Sequence, residues 1–222
     1  MLFRSYHLLA REPGIRVAIV EPDPGHAHAA SARSNGGVRI LFYQAESIAM
    51  SQYGHEFYAA FPDLMAVDDE ASPLDLYRHG YCLMATEPAQ IEDMQANLEL
   101  QRELGCRVEV HDAASLERTF PDINASDVLM AVRSPDDMWI DPYSAVQGLL
   151  RKARHMGTEL IQNRVVGFEE SGARIRAAVL EDGTRLTADW FVNTTGAWAP
   201  ADRKSTRLNS SHSSVSRMPS SA

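Results

Sequence analysis

Three groups of residues in the sequence have types and spacing suited to holding a dinucleotide. The first is Glu21, which closes the apolar run Val17-Ala18-Ile19-Val20. A carboxylate at the end of a buried strand can accept hydrogen bonds from adenosine ribose hydroxyls, ~20 residues after a glycine-rich phosphate loop. That loop, GxGxxG, does not occur in the sequence and would lie just before Tyr6. The second group is Ala30-Ser31-Ala32-Arg33-Ser34-Asn35-Gly36-Gly37-Val38-Arg39. Its small side chains and paired glycines allow backbone N–H groups to come close to a pyrophosphate or a cofactor ring. The third is Val192-Asn193-Thr194-Thr195-Gly196-Ala197-Trp198, an apolar run passing into small residues. Such a segment suits the carboxyl end of a doubly wound sheet, where ligands bind. The first two groups also have ordinary readings: a solvated loop acid and a flexible loop. Arg39 taken alone reads equally well as a surface residue in a salt bridge.

The elements that must position these groups follow from local pattern. A helix ending near Arg11 stops at Pro13-Gly14. Residues 16–21 form a nearly continuous apolar run, as in a strand buried on both faces of a parallel sheet. A helix is predicted over 44–60, closed by Phe61-Pro62. Residues 74–77 and 80–86 read as a strand pair or one bent strand. Ile91, Met94 and Leu98 recur at helical spacing within 88–104, before Gly105. A short strand over 108–110, a helix over 113–120 and a strand over 127–133 follow. Asp141 is a helix cap, with Pro142 at the first position of a helix running to His155. Residues 159–166 read as a strand, 174–180 and 185–187 as a hairpin around Asp182-Gly183, and 190–193 as a further buried strand.

Composition bounds the possibilities. The chain has 222 residues, 45% hydrophobic and 23% charged, enough for one large domain or one and a half smaller ones. A net charge of −9 argues against a nucleic-acid partner, whose phosphates need clustered cations. There is no apolar run of the ~18 residues that a membrane span needs, and no secretory leader. The two cysteines, Cys82 and Cys106, lack CxxC spacing, and a cytoplasmic location is expected. Cys82 and Met84 are expected to be packing residues. No Ser/His/Asp order, metal-ligand cluster, phosphate loop or internal repeat competes.

The ends read differently from the middle. Residues 202–222 are Ser-rich and basic with no apolar period, so they cannot bury a face. Residues 202–212 match the translation of a common sequencing-library adaptor, and Leu2-Phe3-Arg4-Ser5 matches that of the opposite arm. Residues 1–5 and 202–222 are therefore expected to be foreign. The remaining 6–201 are more acidic still, because the ends carry Arg4, Arg203, Lys204, Arg207 and Arg217 against Asp202 alone.

In order and spacing, the three groups resemble the D-amino-acid-oxidase superfamily of FAD flavoproteins, which includes sarcosine, glycine and dimethylglycine oxidoreductases. The resemblance covers essentially all of 6–201. Within the superfamily it is nearest a mitochondrial FAD oxidoreductase-domain subgroup linked to complex I assembly, with its bacterial relatives. Pro73-Leu74-Asp75-Leu76, Gly80-Tyr81-Cys82-Leu83-Met84-Ala85-Thr86-Glu87 and Trp139-Ile140-Asp141-Pro142 carry that nearer likeness.

The resemblance implies an α/β fold: a Rossmann-like FAD-binding domain of glutathione-reductase type with part of a mixed-sheet α+β substrate domain. The FAD-binding domain would span 6–46 and 141–201, and the substrate domain 47–140. Glu21 would bind ribose. Ser31, Ser34, Asn35, Gly36, Gly37 and Val38 would wrap the pyrophosphate and pass the flavin. Val165 would meet the adenine through its backbone. Thr195 and Gly196 would form the second pyrophosphate contact, with Trp198 beside it. Arg39 matches a cation lying against the flavin ring, where it would stabilise the anionic reduced form.

Some positions depart from the family pattern. Where sarcosine-oxidase-like members carry an Arg that grips the substrate carboxylate, this chain has Phe42. No residue is an evident covalent flavin anchor: His26 and His28 flank the loop but read as solvated, so FAD is expected to be non-covalent. The implied reaction is oxidation of the C–N bond of a secondary or tertiary amine, such as an N-methyl amino acid, by hydride transfer to FAD. The partner would be a small amine; the electron acceptor stays open. A non-catalytic FAD-binding assembly factor and a module binding NAD remain alternatives. Without the glycine loop, the chain as written is expected to be inactive.

Overall fold

The structure, a computed structural model, describes residues 1–172 and 174–196. Trp198 and residues 202–222 lie outside the described residues. The elements in chain order are α1 (Leu2–Arg11), β1 (Ala18–Val20), β2 (Gly37–Val38), α2 (Ala45–Ala59), α3 (Phe61–Leu64), β3 (Leu76–Tyr77), β4 (Tyr81–Ala85), α4 (Pro88–Glu103) and β5 (Glu109–His111). There follow α5 (Ala113–Thr119), β6 (Met130–Ser134), β7 (Met138–Ile140), α6 (Pro142–His155), β8 (Glu159–Ile161), β9 (Val165–Ser171), β10 (Arg174–Leu180) and β11 (Arg185–Thr187). The fold is mixed α/β, as the sequence indicates. The described residues divide into two units: residues 18–25 with 159–172 and 174–196, and residues 2–17 with 26–158.

The larger unit is built around β4-β6-β5, an antiparallel sheet. Helix α4 packs on β4 and β6. Ile40, Leu41, Ile48, Ala85, Leu98, Cys106, Met130 and Val132 form one buried cluster. On the other side of the sheet's pleat, Leu116, Ala125, Val128 and Ala131 form a second, against which Cys82 packs. Burial pushes both thiols up, which keeps them protonated and poor nucleophiles. Met84 departs from the expected packing role: it is exposed.

Helix ends follow local chemistry. Gln90 Oε1 accepts from the N–H groups of Thr86 and Glu87 at 3.0 and 3.1 Å, which starts α4. Asp141 accepts from Tyr143 N–H at 3.1 Å and Ser144 N–H at 2.9 Å, which starts α6. Lys152, Arg154 and His155 close α6 on the favourable side of its dipole. Helix α1 packs on α6 and starts at Leu2, four residues before the expected domain start at Tyr6. Leu2, Ser5 and Leu9 form its buried face.

A second sheet of this unit, β2-β7-β3, is antiparallel. It was not legible locally: β2 and β7 are only two and three residues long. It also separates 74–77 from 80–86, which the sequence suggests as a strand pair or one bent strand. Strand β3 pairs with β7, while β4 pairs with β6. The break falls at Gly80, with φ of 79°. A Cβ there would lie 2.6 Å from the Ser134 carbonyl oxygen.

In the smaller unit β1 and β8 pair in parallel, with Ile19 opposite Leu160. Strands β9, β10 and β11 form an antiparallel meander. The β10–β11 turn is the expected one: Asp182 Oδ1 accepts from Thr184 N–H at 2.9 Å, and Gly183 takes φ of 85°. The predicted strand over 159–166 is instead two, β8 and the start of β9. The buried strand predicted over 190–193 does not form. Trp190 is 86% and Val192 63% exposed. A strand needs a neighbour to complete its ladder, and among the described residues β1 pairs only with β8. Apolar composition alone therefore misleads at this segment.

Among the described residues no helix is long and apolar enough to cross a membrane.

Candidate functional site

The smaller unit carries the strand-end acid. Glu21 directly follows β1, and its N–H donates to the Ile161 carbonyl at 3.0 Å. Its carboxylate thus stands at the carboxyl end of the parallel pair, where a doubly wound sheet meets its ligand. Glu21 Oε1 accepts from Asp23 N–H at 3.0 Å, and Asp23 Oδ1 from Gly25 N–H at 3.0 Å. These turns lead the chain away from the strand and leave the acid half-buried. Val165 opens β9 at the same end, a short turn after β8. Arg164 beside it accepts from Glu181 N–H through its carbonyl at 2.9 Å. A carboxylate acceptor and a backbone strand start, both at the carboxyl end of one parallel pair, fit the adenosine half of a dinucleotide.

Thr195 and Gly196 lie in a turn made by Asn193. Asn193 Oδ1 accepts from Thr195 N–H at 3.0 Å and Thr195 Oγ1 at 2.7 Å. Gly196 takes φ of 58°. The N–H and hydroxyl of Thr195 are therefore both donated within the turn.

The larger unit carries the small-residue loop, which is a run of turns. Ala29 N–H donates to His26 O, Arg33 N–H to Ala30 O and Ser34 N–H to Ser31 O. Ser34 Oγ accepts from Gly36 N–H at 2.9 Å. Ser31, Ser34 and Asn35 are exposed. His26, expected in solvent, is buried with φ of 54°. His28 Nδ1 lies 2.7 Å from the Arg33 guanidinium.

The glycine pair has its own structural cause. Gly36 takes φ of 75°, and a Cβ there would lie 2.0 Å from the Ile140 carbonyl oxygen. A Cβ on Gly37 would lie 2.1 Å from the Tyr81 hydroxyl. Both glycines are thus fixed by β7 and β4, whatever else approaches the loop.

Val38 is in β2, and Arg39 follows it. The Arg39 guanidinium carbon stands 4.5 Å from the centre of the Phe42 ring, a cation–π contact. Arg39, Phe42, Leu83, Met84, Asp93 and Met94 line an open cleft of about 340 Å³.

Two polar residues near this segment, Asp137 and His55, gave no sequence signal. Asp137 is fully buried, and burial pushes its carboxyl up. The Ser134 hydroxyl, His55, the Ile40 N–H and Arg39 act in the opposite sense. In the sequence Asp137 stands in Ser134-Pro135-Asp136-Asp137, where nothing local marks it as buried.

Comparison with known proteins decides the family. A family model described as DAO, FAD dependent oxidoreductase, matches residues 5–220. The chain belongs to this family. FAD is the cofactor of its members, and oxidoreduction their chemistry. The chain is 33% identical over 180 residues to FAD-dependent oxidoreductase domain-containing protein 1 of Bos taurus, covering 80% of this chain and 36% of that protein. For the Mus musculus protein of the same name, identity is 30% over 172 residues, covering 76% and 35%. The chain thus spans about a third of the length of these curated relatives. Among solved structures, L-proline dehydrogenase from P. horikoshii gives a TM-score of 0.80 at 19% identity, covering 94% of this chain and 53% of that one. Glycine oxidase from Geobacillus kaustophilus gives 0.72 at 17%, covering 90% and 54%. At such identities the likeness establishes a shared fold.

Proposed function

We propose that the intact protein oxidises the C–N bond of a small secondary or tertiary amine, such as an N-methyl amino acid, acting in the cytoplasm. The observation that carries the cofactor half of this reading is Glu21, a carboxylate at the carboxyl end of the parallel β1–β8 pair. Support for the amine comes from the fold neighbours, whose names include a proline dehydrogenase, a glycine oxidase and an iminodiacetate oxidase.

Glu21 accepts the ribose hydroxyls, and the backbone at Val165 lies against the adenine. The exposed Ser31, Ser34 and Asn35, with Gly36, Gly37 and Val38, border the pyrophosphate and flavin. Thr195, Gly196 and Trp198 provide the second pyrophosphate contact. Because Thr195 N–H is already donated to Asn193, Gly196 carries the backbone donor of that contact. When bound, FAD supplies the two-electron acceptor for a hydride leaving the carbon next to the amine nitrogen. Arg39 holds a fixed positive charge where negative charge collects during transfer, a contribution made without reorganisation. Phe42 offers an apolar face in place of a carboxylate-gripping cation, which favours substrates anchored by other means.

The test is anaerobic addition of sarcosine or dimethylglycine to the flavin-loaded intact protein. Loss of the oxidised flavin's visible absorbance is expected. Stoichiometric FAD that no amine reduces would instead indicate a non-catalytic FAD-binding protein.

A further inference from the structure

Asp137 joins segments far apart in the chain. Its Oδ1 accepts from the Ile40 N–H at 3.1 Å and from Ser134 Oγ at 2.9 Å. Its main-chain carbonyl accepts from Gly80 N–H at 2.9 Å. His55, on α2, places Nε2 3.5 Å from Asp137 Oδ1 and 3.1 Å from the Val38 carbonyl oxygen. A carbonyl can only accept, so Nε2 carries the proton and donates to Val38. The residues on either side of Arg39 are therefore tied to the two members of one pair, a half-buried histidine and a buried aspartate: Val38 to His55, and Ile40 to Asp137.

Bulk packing does not require a carboxylate here. An apolar side chain of similar volume would fill the space without the cost of desolvating an acid. Asp137 Oδ2 is buried with no hydrogen-bond partner among the described residues, so part of that cost is not offset. What the carboxylate adds is direction: a fixed acceptor for one particular N–H on the loop that presents Arg39.

We propose that Asp137 and His55 are positioning residues for Arg39, clamping the backbone before and after it so that its guanidinium is held at a fixed place over Phe42 and in the cleft. This rests on the reading that Arg39 serves the flavin.

The experiment separates the two. Amide hydrogen exchange is measured in the chain with Asp137→Ala, Asp137→Asn and His55→Ala. Asp137→Ala is expected to speed exchange at Ile40 by about tenfold or more over the change at Val132 and Leu98, the scale of one charged hydrogen bond. Asp137→Asn keeps Oδ1 as acceptor and should restore Ile40 protection. If Asp137→Ala does not fold, His55→Ala provides the second route, with exchange at Ile40 again raised selectively. Equal acceleration at all three amides, or none at Ile40, overturns the clamp.

In the flavin-loaded intact protein, sulfite adds to the flavin ring and leaves negative charge on it. Arg39→Gln should weaken sulfite binding about tenfold, Asp137→Ala should reproduce part of that loss, and Asp137→Asn should recover it. If Asp137→Ala leaves sulfite binding unchanged while Arg39→Gln weakens it, the clamp does not position the guanidinium and the proposal fails. If Arg39→Gln itself has no effect, the flavin role of Arg39 fails, and the exchange result alone decides the clamp.

Discussion

The two units are built on different terms. The larger one buries Ile48, Phe61, Met65 and Leu116 completely and closes two sheets with antiparallel ladders. Among described apolar residues the smaller one buries only Ile19, Ala177, Ala178 and Leu180, and it leaves Trp190 and Val192 in solvent. The larger unit is held by its own core, whereas the smaller one presents polar ends and a short parallel pair. Under the proposed function the difference would be a division of labour: a self-packed frame carries Arg39, and the less buried unit would gain stability when a cofactor binds.

Core truncation should show the contrast most strongly. Phe61→Ala removes a fully buried ring and should cost about 3–5 kcal/mol in denaturant unfolding. Trp190→Ala should change stability by less than about 0.5 kcal/mol, being a surface substitution. Equal losses would break the comparison.

The glycines offer a second test. Gly36→Ala meets the Ile140 carbonyl oxygen at 2.0 Å in a left-handed backbone, and should cost about 3 kcal/mol or more. Gly196→Ala has open space and only the backbone term, so a cost of about 1 kcal/mol is expected, read from the same unfolding curves.

Glu21→Gln in the intact flavoprotein should weaken FAD binding about tenfold while leaving the apoprotein's Tm unchanged, because it removes a charged acceptor and no packing. A fall in Tm without a change in FAD affinity would make Glu21 a structural residue.

The smallest expected effect is a pH dependence in the larger unit. Burial holds Asp137 above the ordinary carboxylate range, whereas unfolding returns it there. The folded state therefore binds the proton more tightly. This contribution is full below the ordinary Asp range and is lost as pH rises through the raised value. Asp137→Asn should flatten that part of the stability–pH profile. A profile identical to that of the parent chain would mean that the carboxyl titrates normally.

What was legible in the sequence was what local chemistry dictates. Pro88 and Gly105 bracket α4, Asp141-Pro142 opens α6, and Asp182-Gly183 turns β10 into β11. The strand-end position of Glu21 also follows from its short apolar run. Features that depend on distant neighbours were not legible. Strands β2 and β7 exist only because residues about a hundred positions apart pair, Gly37 with Trp139. Residues 190–193 have strand composition but no ladder. Asp137 is a loop aspartate until Ile40, 97 residues away, donates to it. The glycine pair was legible as a close approach, but the atoms approached include Ile140 and Tyr81 of the protein itself.

The most direct test of the division between the units is an equilibrium titration of this 222-residue chain with FAD, followed by flavin fluorescence. The sequence holds the acid proposed to bind ribose and the loop proposed to pass the flavin, but no GxGxxG to seat a pyrophosphate at a helix N-terminus. Weak binding or none is expected, with the larger unit's fold unchanged. Purification of the chain with stoichiometric, tightly held FAD would contradict it.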